Sequence, residues 1–404
     1  MLRIILLLAV TAQYSGALNI NDVQFSRRKV FSTTTAAVVA VAPLLAPPTV
    51  PIARAASEAL ESFETQIPQK DLLAGLATSP VRDIIVTGAN SGVGLAGAKL
   101  LTAAGHRVIL ACRTQAKADA AAEICRTYAA TSGGDSSFYS SRRAGGTAVG
   151  AACDLASLSS VRAFANSMNG RTVDTLVLNA GLAHGQADKE PVRTADGFEE
   201  TVGVNHLGHF LLADLMSPVL VKSSSNPRIV STASPVHDPK SGGGDVGSPA
   251  SLGSLSGMIN DGARFTMVDG GPYDPDKAYK DSKLCNMLFM AEAARRYKGK
   301  ITFNAFSPGL IADPNGFFRN QNVLFATVFN TITKVAGVAE SNEFGGSGLA
   351  YMAVDAAMDG STGGWYDSAP VGKHQLAKHA PSVEVQNVEE QKLLWTVSAK
   401  LVGS

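Results

Sequence analysis

The sequence predicts a single doubly wound α/β domain, with a mainly parallel, seven-stranded sheet and helices on both faces. Three observations carry that expectation. Residues 82–105, RDIIVTGANSGVGLAGAKLLTAAG, run from an apolar β-branched strand through a glycine turn into a helix rich in Ala and Leu. Later apolar segments (HRVILAC before Arg113, DTLVLNAG, RIVSTAS) end in small or polar residues, where open α/β sheets collect their functional groups. Tyr279 and Lys283 stand four apart in DKAYKDSKLCNM, which on a helix places them on one face, one turn apart.

The chain has 404 residues, 45% hydrophobic and 17% charged, with a formal net charge of +1. That balance offers no electrostatic footprint for nucleic acid. The four cysteines, Cys112, Cys125, Cys153 and Cys285, show neither C-x-x-C nor metal-ligand spacing, so no disulfide framework and no metal site is expected.

In chain order, the leading segments read as an address rather than as fold. Residues 1–17, MLRIILLLAVTAQYSGA, have the basic start, apolar run and small residues of a signal peptide. Residues 18–56 form a second targeting unit, with paired Arg27 and Arg28 and an A-x-A ending at Ala53–Ala55. Neither apolar run reaches the ~18 residues of a membrane span. Two signals in series resemble the presequences of algae whose plastids lie inside the secretory system, and the twin arginine resembles a thylakoid-import signal. One signal peptide followed by a disordered pro-segment is the alternative. Residues 57–79 read as a linker, and the catalytic domain as 80–404.

The first strand, Ile84–Val86, leads into the turn Gly88, Asn90, Ser91, Gly92, Val93, Gly94, and Gly105 ends the helix. Such glycines let backbone N–H groups approach a pyrophosphate at a helix N-terminus. The second strand ends in Arg113, with Lys117 a turn later, where an NAD enzyme carries an acid for the ribose hydroxyl. A guanidinium suits a 2′-phosphate instead, so NADPH is the expected cofactor. Residues 131–150 read as a low-complexity surface insertion. The third strand closes in GAACDLAS, placing Asp154 and Leu155 toward the adenine, and the fourth ends in Asn179, Ala180 and Gly181. A helix over 202–216 carries Asn205, a poor helix former in its interior. His206 and His209 on it read as structural histidines, since no third ligand lies nearby. The fifth strand places Ser234 at its end.

The spacing G-x-x-x-G-x-G resembles the short-chain dehydrogenase/reductase superfamily, whose fold is Rossmann-type. Asn205, Ser234, Tyr279 and Lys283 then match its catalytic set, and Asn179-Ala180-Gly181 the segment that shapes its cofactor cleft. The resemblance implies that Asn205 supports a water linking Lys283 to solvent. A tyrosine of ordinary pKa ~10 is a sluggish acid at neutral pH, and a nearby ammonium is expected to lower it.

Residues 266–290, with Y-K-D-S-K-x-C-N-M, resemble more narrowly the light-dependent protochlorophyllide oxidoreductase family. FEETVGVNHLGHFLLA, the terminal KLVG and the long insertion between Ser234 and Tyr279 agree. The resemblance implies reduction of the C17=C18 double bond of a tetrapyrrole pigment in chlorophyll biosynthesis, with NADPH as hydride source, Tyr279 as proton source and Lys283 also on the nicotinamide ribose. It places Pro308 and Gly309 at the cofactor and Cys285 and Leu310 at the substrate, Cys285 being alternatively a buried small hydrophobe. The family carries a cysteine at the position of Leu310 and a threonine at that of Asp313, and SPVHDPKSGGGDVGSP departs from its pattern. The residues therefore leave open an NADPH reductase of another carbonyl or conjugated alkene, and a non-catalytic pigment- or NADPH-binding protein. The implied location is a plastid, at the thylakoid lumen or membrane surface. Self-association and peripheral contact with the thylakoid membrane stay open.

Overall fold

The computed structural model describes residues 64–131, 143–311, 339–369 and 372–404. The targeting segments, Asp313 and most of the expected insertion lie outside the described residues.

Seven parallel strands form the sheet that the sequence predicts: β2 (Asp83–Thr87), β3 (Arg107–Cys112), β4 (Thr147–Ala152), β5 (Thr175–Leu178), β6 (Arg228–Thr232), β7 (Thr302–Phe306) and β8 (Trp365–Ser368). Two further strands were not expected. β9 (Gln375–His379) runs antiparallel to β8, and β1 (Thr65–Pro68) antiparallel to β9, giving a nine-stranded order β1-β9-β8-β7-β6-β5-β2-β3-β4. The expected linker is thus corrected at its C-terminal end. Thr65 pairs with Lys378, and Leu72, Leu73 and Leu76, around the short helix α1 (Gln69–Leu72), are buried in the core. Burial of these leucines, invisible in local composition, recruits the segment.

Helices cover both faces. On one side α2 (Gly92–Ala103), α3 (Gln115–Thr131) and α8 (Asn342–Val354) pack with α1 over Ile84, Val86, Leu110 and Phe306. On the other, α4 (Leu158–Ser167), α5 (Glu200–Ser223), α7 (Pro275–Arg296) and α9 (Val388–Val402) enclose Ile85, Leu176, Ile229 and Phe303. The small helix α6 (Ser256–Asn260) belongs to the long insertion. Near-continuous apolar runs suit strands buried on both faces: all four residues of β5 are buried.

α2 and α8 touch closely. A Cβ on Gly346 would stand 2.7 Å from both Ala96 Cβ and Gly97 N, and one on Gly97 2.7 Å from Leu349 Cδ2. α5 is longer than the expected helix at both ends and contains a π-helical turn, Gly203–Gly208. The extra residue in such a turn re-aims side chains and is frequent at functional sites. Here it carries Asn205.

The chain leaves β2 for β3 and β4 on one side, then crosses to β5 and β6 on the other. The crevice beyond the C-terminal ends of β2 and β5 is therefore the topological switch point, where doubly wound sheets bind ligands.

Candidate active site

The glycine turn and Asn179–Gly181 meet at that crevice. Gly88 has φ +65°, and a Cβ on it would lie 2.8 Å from Ala180 Cα. A Cβ on Gly94 would collide with Asn179 Nδ2 at 2.5 Å and Gly88 O at 2.7 Å, so only glycine lets helix and strand ends approach this closely. Gly92, at φ +55°, faces open space apart from Asn342 Oδ1 at 3.6 Å. Ser91 caps α2 without a side-chain hydrogen bond, leaving the first-turn N–H groups to a ligand. Glycine cradle and helix N-terminus together fit a dinucleotide pyrophosphate.

Thr87, not singled out from sequence, ties the crevice together. Its hydroxyl accepts from Asn179 N at 2.8 Å and Ala180 N at 3.0 Å. It also lies 2.9 Å from His209 Nε2. His209 Nδ1 faces the Asn205 carbonyl at 3.1 Å, which can only accept, so Nε2 is bare and Thr87 donates to it. Burial pushes the His209 pKa down to about 4, which preserves that tautomer. His206 is likewise buried, with Nε2 2.8 Å from Ser398 Oγ on α9. Asn179 spends its amide on the Thr87 carbonyl at 3.0 Å.

The remaining cofactor candidates take their places around this turn. Arg113 is exposed directly after β3, with Lys117 exposed on the first turn of α3. Asp154 Oδ1 accepts from Ala156 N at 3.0 Å, bracing the turn after β4. Leu155 is 6% exposed and belongs to the core, which limits it to main-chain contacts. Val93 and Pro308 both pack on Gly345 of α8, within 2.8 and 2.9 Å of where its Cβ would be. Gly309 has φ +81° and sits against Glu340 and Ser368. Glu340, also missed from sequence, is buried and accepts from Ser368 Oγ at 2.8 Å, with His374 Nδ1 at 2.6 Å. Its main-chain N–H donates to Leu310 O at 2.9 Å, so it anchors the loop that presents Leu310. The Leu310 side chain is partly buried.

α7 begins at a strong N-cap, Asp274 accepting from Asp276 N and Lys277 N, with Pro275 in the first turn. Tyr279 and Lys283 share its face as expected, with Lys283 Nζ 5.5 Å from the Tyr279 ring centroid. Lys283 Nζ donates to Thr232 O at 3.1 Å, and a Cβ on Gly181 would stand 3.8 Å from it and 3.4 Å from Asn205 Oδ1. Asn205 bonds Leu182 N and O at 2.9 Å each and Ser282 Oγ at 3.0 Å. Asn205, Ser234, Tyr279 and Lys283 are thus brought together beside Gly181.

One expectation is corrected here, that the Lys283 ammonium lowers the Tyr279 pKa. Burial raises the Tyr279 pKa, and the opposing influence is the hydrogen bond with Ser234 rather than the Lys283 charge. Burial also pushes the Lys283 pKa down to about 8, because its ammonium finds a carbonyl and not a carboxylate. Cys285 is fully buried in the core, and desolvation first, with nearby acids, raises its thiol well above the ordinary value. Two positions past Lys283 is about 200° around the helix, so the cysteine turns away from the site.

Two other letters of Y-K-D-S-K, Lys280 and Asp281, bind the insertion. Lys280 Nζ donates to the carbonyls of Gly244 at 3.3 Å and Ser248 at 3.0 Å, and to that of Val246. Asp281 accepts from Ser251 N at 2.9 Å and from Lys277 Nζ at 2.6 Å. Lys277 reaches Asp269 at 2.9 Å as well. The motif was visible in sequence, but not this latching role.

The profile of the short chain dehydrogenase family matches residues 82–244. Protochlorophyllide reductase of Marchantia paleacea is 38% identical over 329 residues, covering 79% of this chain and 67% of that one. The Cucumis sativus protein of the same name is 37% identical, covering 79% and 77%. The chain belongs to the protochlorophyllide reductase family. Among solved structures, an uncharacterized protein from Mycobacterium paratuberculosis superposes with a TM-score of 0.56 at 26% identity, covering 82% of this chain and 97% of that one. The latch of Lys280 and Asp281 thus lies in a protochlorophyllide reductase framework.

One prediction follows from Lys283. Since its ammonium is lost as pH rises through about 8, kcat/KM for NADPH should fall on the alkaline side with a midpoint near that pH, because this ratio reports the free enzyme. Lys283→Arg, which keeps its charge, should move the alkaline limb upward. A pH–rate profile of both proteins checks this.

Proposed function

We propose that this protein reduces protochlorophyllide to chlorophyllide with NADPH, under light, as a plastid step of chlorophyll biosynthesis. The observation that carries the reading is the meeting of Ser234, Tyr279 and Lys283 beside a dinucleotide cradle, in a chain 36–38% identical to reductases of that name. NADPH supplies a hydride when bound. Glycines 88, 92 and 94 and the α2 N-terminus hold its pyrophosphate, Arg113 and Lys117 its 2′-phosphate, and Asp154 and Leu155 its adenosine end. Tyr279 gives the proton. Its raised pKa keeps the phenol protonated, so it yields the proton only to a carbon made electron-rich by hydride addition. The Ser234 hydroxyl then steadies the phenolate, while Lys283 holds the nicotinamide ribose.

The test mixes purified protein, NADPH and protochlorophyllide, records absorption in darkness, then illuminates. Chlorophyllide should form only in light. Turnover in darkness on other alkenes or carbonyls would favour the alternative reductase, a reading that Leu310 supports because leucine neither hydrogen-bonds nor gives a proton. Leu310→Cys should raise chlorophyllide formation under illumination with NADPH affinity unchanged, the pocket wall tolerating the small volume loss. If neither version binds the pigment, the substrate is another NADPH-reducible compound.

Arg113→Ala should weaken NADPH binding roughly 10–100-fold and leave NADH binding as it was, since charge-assisted hydrogen bonds are worth ~1.5–3 kcal/mol. Calorimetric titration with both cofactors checks it, and equal losses would assign Arg113 to fold support.

The relatives' chloroplastic names support a plastid location. The paired signals of residues 1–56 extend this to a plastid reached by the secretory route, with the lumen or surface of the thylakoid as destination. Peripheral membrane contact and self-association belong to the same reading.

A further inference from the structure

Ser234 lies just past the end of β6 and is followed by a 3-10 turn, Pro235–His237. The Ser234 carbonyl accepts two hydrogen bonds, from His237 N at 3.2 Å and from His237 Nδ1 at 2.7 Å. A carbonyl oxygen only accepts, so Nδ1 carries the proton and Nε2 is bare. His237 is 1% exposed, and its Nε2 has no hydrogen-bond partner among the described residues. Burial pushes its pKa below the usual histidine range, consistent with a neutral ring. Trp365 of β8 meets the ring edge-on at a centroid distance of 5.2 Å, fixing its plane. The polar reach of this side chain is thus directed at one atom, the carbonyl of the serine whose hydroxyl bonds Tyr279.

We propose that His237 is a positioning residue for catalysis: clamped by Trp365, its Nδ1–H holds the Ser234 main chain so that the Ser234 hydroxyl stays on Tyr279. The inference rests on the proposed roles of Ser234 and Tyr279. It assigns His237 no contact with substrate or cofactor.

Asparagine and glutamine separate this from a packing role. The amide N–H of Asn superimposes on Nδ1 of histidine, whereas that of Gln reaches toward Nε2. His237→Asn should keep kcat within about threefold. His237→Gln and His237→Phe should lower it about tenfold, a factor corresponding to 1.36 kcal/mol of barrier. KM and NADPH affinity should stay unchanged in all three. Turnover is read as chlorophyllide formed per flash with saturating NADPH, beside melting temperature and a Ser234→Ala control. Asn as slow as Gln, Gln as fast as the unmodified protein, or losses that track melting temperature or NADPH affinity would overturn the proposal. Should the Phe variant fail to fold, the Asn/Gln pair decides alone. A Ser234→Ala protein of full activity would instead overturn the catalytic reading beneath it.

Discussion

A Tyr279→Phe protein should fold, bind NADPH and turn over roughly 10²–10⁴-fold more slowly, the range that a positioned general acid contributes. Phenylalanine keeps the ring beside Lys283 Nζ, now 5.5 Å from its centroid, and loses only the hydroxyl. Packing is therefore conserved and chemistry is not. Losing the hydroxyl also removes its hydrogen bond with Ser234, so a stability loss of only about 1 kcal/mol is expected. Single-turnover absorption measurements, with NADPH binding followed separately, divide the two steps. A near-normal rate would mean that water supplies the proton.

A large loss of stability from one side chain is expected at Trp395 on α9. Its ring stands edge-on to Phe210 of α5 at 5.0 Å and stacks on Phe289 of α7 at 5.8 Å, while Arg296 lies 4.5 Å above it. Trp395→Ala removes these ring contacts and a cation–π interaction together. Core Trp→Ala changes cost about 3–5 kcal/mol, and the partial exposure of Trp395 places this one near 3 kcal/mol. Urea unfolding should show it as a lower midpoint with turnover per folded molecule intact, because Trp395 packs on Phe289 and Arg296, roughly 15 Å or more along α7 from Tyr279. An unchanged midpoint would mean that Leu394, fully buried, holds α9 alone.

What could be read from the sequence follows the range of the interactions. The strand, glycine turn and helix over 82–105 are local, and each residue type is required by a backbone within a few positions. Tyr279 and Lys283 are legible because helical rotation places i and i+4 together. The same rotation carries Cys285 into the core, in line with the buried small hydrophobe that was the alternative to a substrate contact. Thr87, Asn179 and His209 form one hydrogen-bonded unit from three separate elements, and no single stretch shows it. Lys280 was visible only as a motif letter, since its partners lie more than 30 positions earlier. The downward shift of Lys283 depends on burial that spacing cannot report.

The pairing of β1 with β9 also orders events in time. Thr65 meets Lys378 across the sheet edge, a contact between the beginning and the last part of the described chain. Loop closure over such a separation is slow, and long-range pairings delay folding. A chain made or threaded N-terminus first carries Thr65–Pro68 unpaired until residues 375–379 have followed. The nucleotide crevice at β2 and β5 draws its strands from Asp83–Leu178, so it can assemble while that edge still waits. Early NADPH binding would then stabilise an incomplete sheet by mass action, with the β1–β9 edge as the closing step.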